Sequence, residues 1–387
     1  MILKALKYGN NWLGDNWSIA SGATHDDFVN FSNINLIVGR NASGKTKFID
    51  ALRLISDLLD ARSGNKIENG EPFYFELIFQ DGNDSIHYDL FLDNNGEHGR
   101  TEVDNEKLFV NNIKKLDRKL GQLYYQQLDK FVDFELDNQY LAVERKDDKQ
   151  QPFFKTLHDW GKGISHYSFG GNMGKGRSQK DSDDVDVLNF KNAHNVRAIF
   201  MRGEKDFQNN FKKEIIDNMK KIEYNLTDII TNDGLPKFLQ TLSVQESDLE
   251  NKTYFNEMSQ GMARAFSLIV QLNYSLMAKI PSCILIDDIG EGLDYDRSKK
   301  LIELIIEKAE GSNIQVFMTT NDRFVMNSVP LKYWSVIHRE GNKSVFYNYQ
   351  NSKQTFDDFA FTGLNNFDFF ATEFYRQGFE EFIATTQ

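Results

Sequence analysis

Gly39-Arg40-Asn41-Ala42-Ser43-Gly44-Lys45-Thr46 follows directly on the apolar run Ile34-Asn35-Leu36-Ile37-Val38. It leads into Phe48, Leu52, Ile55 and Leu59, which recur at steps of four, three and four. The run predicts a buried strand and the spacing predicts one face of a helix. The octapeptide between them has the form G-x-x-x-x-G-K-[ST]. Glycines at 39 and 44 permit a tight turn and a close backbone approach, so that successive N–H groups and the helix N-terminus converge on a phosphate. Lys45 adds a point charge for the terminal phosphates, and the Thr46 hydroxyl is placed to ligate Mg2+. Arg40, Asn41, Ala42 and Ser43 supply the intervening backbone of the cradle. Strand, loop and helix in that order point to a nucleoside triphosphate site.

The other end of the chain completes this reading. Ile284-Leu285-Ile286-Asp287 is an apolar strand ending in a carboxylate, suited to holding Mg2+ through water opposite Thr46. Asp288 follows at once and is the candidate general base. Two adjacent acids at a buried strand end are costly unless a cation or a reaction uses them. No N-K-x-D guanine-reading motif occurs, so ATP is the expected nucleotide.

Composition sets the outer limits. The 387 residues carry 57 acidic and 45 basic side chains, a net charge of −12, which argues against a surface that coats nucleic acid everywhere. Hydrophobic residues at 40% and 32 Phe suffice for a packed core. A lone cysteine, Cys283, excludes a disulfide framework and suggests a reducing cytoplasm. No run approaches the roughly 18 apolar residues of a membrane span, so no membrane partner is expected.

Met258-Ser259-Gln260-Gly261-Met262 opens an apolar helix shortly before the Asp287 strand. It resembles the signature loop of ABC-type ATPases, in the degenerate form of the SMC, RecF-like and OLD-family branch. Gly292-Leu293-Asp294 resembles the D-loop of the same families, and Thr319-Thr320-Asn321-Asp322 ends the strand where they keep a switch histidine. The resemblance covers about residues 1–110 and 250–350. It implies that Ser259 and Gly261 touch the γ-phosphate of ATP held by an opposite subunit, that Asp294 crosses a dimer interface, and that ATP drives a homodimer or higher homo-oligomer. Asp288 stands where the family has Glu, and Asn321 replaces the switch His. One methylene less between backbone and base suggests slow hydrolysis. Gln80 is a candidate Q-loop residue and reads more simply as a strand residue.

The expected fold is therefore α/β: a P-loop NTPase of ABC type, with a mixed central sheet, an antiparallel β subdomain and a helical insertion. Residues 1–111 would form the N-terminal part of the ATPase head, with the hairpin Phe73 to Asp93 around the turn at 81–84. Residues 112–250 would form a mainly helical insertion, including an amphipathic helix through Phe211, Ile215, Met219, Ile222, Leu226 and Ile229. Residues 251–387 would return to the head and end in a Phe-rich tail with Phe367, Phe370 and Phe374 at helical spacing. Lys114, Lys115, Arg118 and Lys119 at an expected helix start, with Lys175, Arg177 and Lys180 in the glycine-rich loop 161–186, form a candidate DNA contact or a solvated face. The seven histidines (25, 87, 98, 158, 166, 194 and 338) show no H-x-x-x-H pair.

No clustered E…D-x-D pattern follows Asn321, so a Toprim nuclease domain is not expected. The chain is similar to stand-alone ATPase subunits of bacterial anti-phage systems, which control a separate effector, often a nuclease or toxin. The alternative is a RecF-like, ATP-gated DNA-repair clamp.

Overall fold

The computed structural model describes residues 1–12, 15–24, 27–60, 72–94, 101–145, 147–170, 191, 193, 195–231 and 241–385. Two compact units emerge: 1–162 with 330–387, and 163–329. The expected boundaries at 111 and 250 do not coincide with them. The basic residues Lys175, Arg177 and Lys180, the glycines 171, 174 and 176, and His25, His98 and His194 lie outside the described residues.

The first unit begins with β1 (Ile2–Trp12), β2 (Asp15–Ser21), β3 (Val29–Asn30) and β4 (Ile34–Val38). α1 (Lys45–Leu59) follows the loop, then β5 (Phe73–Asp81), β6 (Asp84–Asp93), β7 (Glu102–Val110), β8 (Ile113–Asp117), β9 (Gln122–Tyr125), β10 (Lys130–Asp133) and α2 (Pro152–Lys162). The second unit holds β11 (Ile164–Ser168), α3 (Val196–Phe207), α4 (Asn209–Lys221), β12 (Leu226–Thr231), β13 (Leu242–Glu246) and β14 (Thr253–Tyr254). It continues through α5 (Gln260–Met277), β15 (Ser282–Asp287), α6 (Tyr295–Ala309), β16 (Ile314–Thr320) and α7 (Arg323–Ser328). The chain then re-enters the first unit as β17 (Trp334–Glu340), β18 (Lys343–Asn348), α8 (Lys353–Phe359), α9 (Asn366–Ala371) and α10 (Phe374–Thr385).

Within the first unit the strand order is β10-β9-β8-β7-β6-β5-β1-β2-β18-β17-β4. The run from β10 to β2 is antiparallel, whereas β18 pairs β2 and β17 pairs β4 in parallel. β4 is buried on both faces, as a largely apolar run of Ile, Leu, Ile and Val around Asn35 requires. In β5 and β6 the alternation places Phe73, Phe75, Leu77 and Phe79 with Ile86, Tyr88, Leu90 and Leu92 on one buried face. α1 buries Phe48, Ile49, Leu52, Ile55 and Leu59 completely, each contributing about 1.5–3 kcal/mol by removal from water. Ser56 donates to the Gly161 carbonyl at 2.9 Å, and a Cβ on Gly161 would stand 2.9 Å from the Leu59 carbonyl carbon, so α2 lies close against α1.

The Phe-rich tail belongs to this core. Phe356, Phe359, Phe369, Phe374 and Tyr375 are buried against one another, with Phe356 and Phe369 rings 4.6 Å apart. Phe367 and Phe370, expected from spacing, are only half-buried.

In the second unit β11, β15 and β16 run parallel, and β15 and β16 are buried throughout. β12, β13 and β14 form a separate antiparallel sheet.

Two expectations for 112–250 are corrected. Its first part is not helical: β8 to β10 extend the antiparallel sheet, and Lys114, Lys115 and Arg118 lie on or just after a strand. The amphipathic helix stops at Lys221, and Glu223 takes a left-handed φ of 64°. Leu226 and Ile229 belong to β12, where a register shift between Leu226 and Asp228 puts both on the buried face. A bulged strand thus mimics a three-residue helical step.

Candidate functional site

The loop 39–46 turns through two left-handed residues, Ala42 (φ 63°) and Gly44 (φ 108°). That alternation folds successive N–H groups toward one concavity. Gly44 admits no side chain: a Cβ there would lie 2.2 Å from the Ser344 hydroxyl, and one on Gly39 would meet Ser43 and Ile337 at 2.5 Å. Ser344, on β18, braces the loop by donating to the Ser43 carbonyl at 2.8 Å while accepting from the Trp17 indole at 2.9 Å. Lys45 is buried and its ammonium donates to the carbonyls of Gly39 (2.7 Å) and Arg40 (3.1 Å). Thr46 is exposed. Arg40 pairs with Glu373 of the tail at 2.9 Å.

Nothing acidic sits in the first turn of α1, and no side chain caps its N-terminus, so its positive end is not offset by a side-chain carboxylate there. The Ser43 hydroxyl oxygen is buried with no hydrogen-bond partner. A cradle of inward amides, a buried ammonium and an orphaned hydroxyl fits a polyphosphate.

In the second unit, Asp287 ends β15 with 9% exposure. Thr319 on β16 donates its hydroxyl to Asp287 Oδ1 at 2.5 Å and accepts from the Asp288 N–H at 2.9 Å. One hydroxyl therefore ties the Asp287 carboxylate to the backbone of Asp288. Asp288 is half-buried and holds φ at 55°, a conformation that costs a non-glycine residue about 1–3 kcal/mol. Gly170, after β11, lies close enough that a Cβ would be 3.1 Å from Asp288 Oδ2. Asn321 is exposed just beyond β16, and Asp322 caps α7 by accepting from the Phe324 N–H at 2.7 Å.

Ser259 is exposed at the N-cap of α5 and accepts from the Met262 N–H at 3.3 Å. With Tyr224, Glu246, Met262 and Arg297 it walls a cleft of about 490 Å³. Gly261 is buried, and a Cβ on it would lie 2.4 Å from the Gly292 carbonyl oxygen. Arg264, one turn further on, donates to the Glu291 carbonyl at 2.8 Å. Asp294 caps α6: Oδ1 accepts from the Arg297 N–H at 3.0 Å and Oδ2 pairs with its guanidinium at 2.8 Å. The backbone bond above all holds its carboxyl below the usual range.

Four residues carry structure that sequence reading missed: Thr319, Ser344, Arg264 and Glu373. Each acts across a long sequence separation, which leaves no local signal. Gln80 lies on β5, as its simpler reading expects, and its side chain donates to the Gly82 carbonyl at 2.8 Å. Of the described residues of the expected basic patch, Arg118 is buried on Glu106, Lys114 pairs with Asp117 and the exposed Lys119 with Asp104. His158 is buried against the Val143 carbonyl.

The chain is similar to the crystal structure of an Smc head bound to the C-winged helix domain of ScpA, with a TM-score of 0.52 and 14% identity over 89% of this chain and 97% of that one. It is similar also to the Smc head domain with an extended coiled coil bound to the C-terminal domain of ScpA from Pyrococcus furiosus, at 0.52 and 12% identity over 93% and 99%. The fold is thus that of an ABC-type ATPase head of the SMC-like branch. Residues 34–327, well over half the chain, match the family described as "AAA domain, putative AbiEii toxin, Type IV TA system", and the protein belongs to that family. No curated protein matches the chain. Among the described residues no helix is long and apolar enough to cross a membrane.

Proposed function

We propose that this protein is an ATP-operated switch, slow in hydrolysis, that closes as a homodimer or larger homo-oligomer and controls a separate effector in anti-phage defence. The observation that carries the nucleotide reading is the loop 39–46, where two left-handed residues and an α1 N-terminus without a side-chain cap surround an orphaned Ser43 hydroxyl. ATP with Mg2+ supplies a cleavable phosphoanhydride whose charge the metal partly neutralises. Gly39 to Thr46 bind the phosphates, Lys45 offsets their charge and Thr46 offers its hydroxyl to the metal. Asp287, pre-oriented by Thr319, would hold the metal together with Thr46. Asp288 accepts the proton from the attacking water, and its strained backbone is the kind of outlier that functional sites retain. Its short side chain favours slow turnover.

Ser259 and Gly261 are assigned to the γ-phosphate of the opposite copy, with Asp294 beside them and Asn321 as a neutral hydrogen-bonding switch. The exposure of Ser259 at a helix N-terminus supports that role. The family description, a toxin of a type IV toxin–antitoxin system, supports a place in defence. The alternative, an ATP-gated DNA clamp, loses the support of Arg118, whose guanidinium is buried on Glu106.

Nucleotide binding and turnover test the reading together. Lys45→Ala should abolish ATP binding in a fluorescent-nucleotide titration, while Asp288→Asn should bind like the parent and release no phosphate. Unchanged affinity in the first variant, or unchanged turnover in the second, would sink the assignment. Co-purification with the product of the neighbouring gene tests the effector.

A further inference from the structure

The outward face of the β5–β6 hairpin carries a cluster that the nucleotide reading does not use. Glu76 on β5 and Asp89 on β6 are directly opposed in register, and His87 lies two residues before Asp89 on the same face. Donor atoms of all three lie within 4.8 Å of one another. Carboxylates placed directly opposite each other across an antiparallel pair repel, so this arrangement asks for a cation between them.

Two lysines are near enough to serve and do not. Lys7 is opposite Glu76 and Lys107 opposite Asp89. Lys7 instead lays its ammonium over the Phe28 ring, 4.5 Å from the centroid. Among the described residues neither lysine makes an ion pair with either acid.

The His87–Asp89 contact is informative. Nε2 and Oδ1 are 2.8 Å apart and both atoms are sealed from solvent, yet neither has a partner with hydrogen-bond geometry. Two donor atoms that approach without pointing at each other suit a third body on which both converge. Around a tetrahedral Zn2+ with bonds of about 2.0–2.2 Å, neighbouring donors stand roughly 3.3 Å apart. The remaining separations involve Glu76, whose three side-chain torsions give it reach. Phe28 and Phe109, each with its ring 6.0 Å from the imidazole, hold His87 in place.

We propose that Glu76, His87 and Asp89 bind a divalent transition-metal ion of the Zn2+ class, separate from the nucleotide site. The imidazole ligand disfavours Mg2+ and Ca2+, which take oxygen donors. Three protein ligands leave a position for water, as in open zinc sites. The ion would clip β5 to β6 on their solvent side, opposite the buried apolar face. The competing arrangement has protonated His87 neutralising Asp89 across their 2.8 Å contact and no metal at all.

The test uses the full chain, stripped with a chelator and titrated with Zn2+ against a chromophoric competitor, with Co2+ absorption as a second probe of the ligand set. One equivalent should bind, Zn2+ should raise Tm, and the visible Co2+ bands should mark a nitrogen–oxygen site. His87→Ala and Asp89→Asn, checked for folding by circular dichroism, should each weaken Zn2+ at least tenfold and abolish the Tm shift. Lys45→Ala should keep the full equivalent, so that failure of the nucleotide reading leaves this result standing. The proposal is overturned if the parent binds no Zn2+ at tens of micromolar, or if His87→Ala retains the equivalent unchanged.

Discussion

Glu106 is an acid that a reader of β7 would send to solvent, yet it is fully buried. Its carboxylate accepts from the Ala142 and Val143 N–H groups at 2.7 and 3.0 Å, from Tyr88 at 3.0 Å and from Arg118 at 3.2 Å. Arg118 in turn donates to the carbonyls of Leu136, Asp137 and Tyr140, so the pair straps the 134–145 crossing onto the sheet. Arg118→Ala leaves a charge buried without its counterion and should cost about 3–5 kcal/mol in denaturant unfolding. Burial, outweighing its partners, raises the Glu106 pKa above 4.5. A raised folded-state pKa means stabilisation that is present below 4.5 and lost as pH climbs through the folded value. The parent should therefore lose stability relative to Glu106→Gln over that rise, read from unfolding midpoints at stepped pH. None of this was legible locally. The phosphate-loop residues were, because one contiguous octapeptide carries them.

Among the elements, α5 shows how a glycine ties two motifs together. Its second residue, Gly261, lies so close to Gly292 that a methyl group would need backbone to move. Gly261→Ala should cost about 1–3 kcal/mol by overpacking and disturb the 290–294 turn. Thermal unfolding and hydrogen exchange across that turn would report both effects; an unshifted Tm with unchanged exchange would show the contact to be slack. The strands β4 and β15 and the helix α1 follow from runs and spacings alone. β8 did not, because a five-residue polar strand has no alternation to read, and its partner β7 decides its state.

For the whole molecule, the ATP-closed dimer is the property to test. Ser259→Arg places a bulky cation on the exposed α5 N-cap, so in the Asp288→Asn background it should block the ATP-induced dimer seen by light scattering. It also removes a cap worth about 1 kcal/mol, which Ser259→Ala removes without the bulk. Dimerisation lost in the arginine variant and kept in the alanine variant is the expected pair of results. An arginine variant that still dimerised would place the signature away from the interface.

The chain alone determined the nucleotide loop, the acid-ended strand, the signature-like helix start and the mixed α/β class, since each rests on residues adjacent or one turn apart. Tertiary structure decided the rest: that Thr319 holds the Asp287 carboxylate and the Asp288 backbone together, that Ser344 and Glu373 hold the loop, and that Arg118 pairs with buried Glu106. It also decided that Glu76 faces Asp89 beside His87. These are cross-strand and long-range pairings, and register between distant segments is set by packing, which no local spacing encodes.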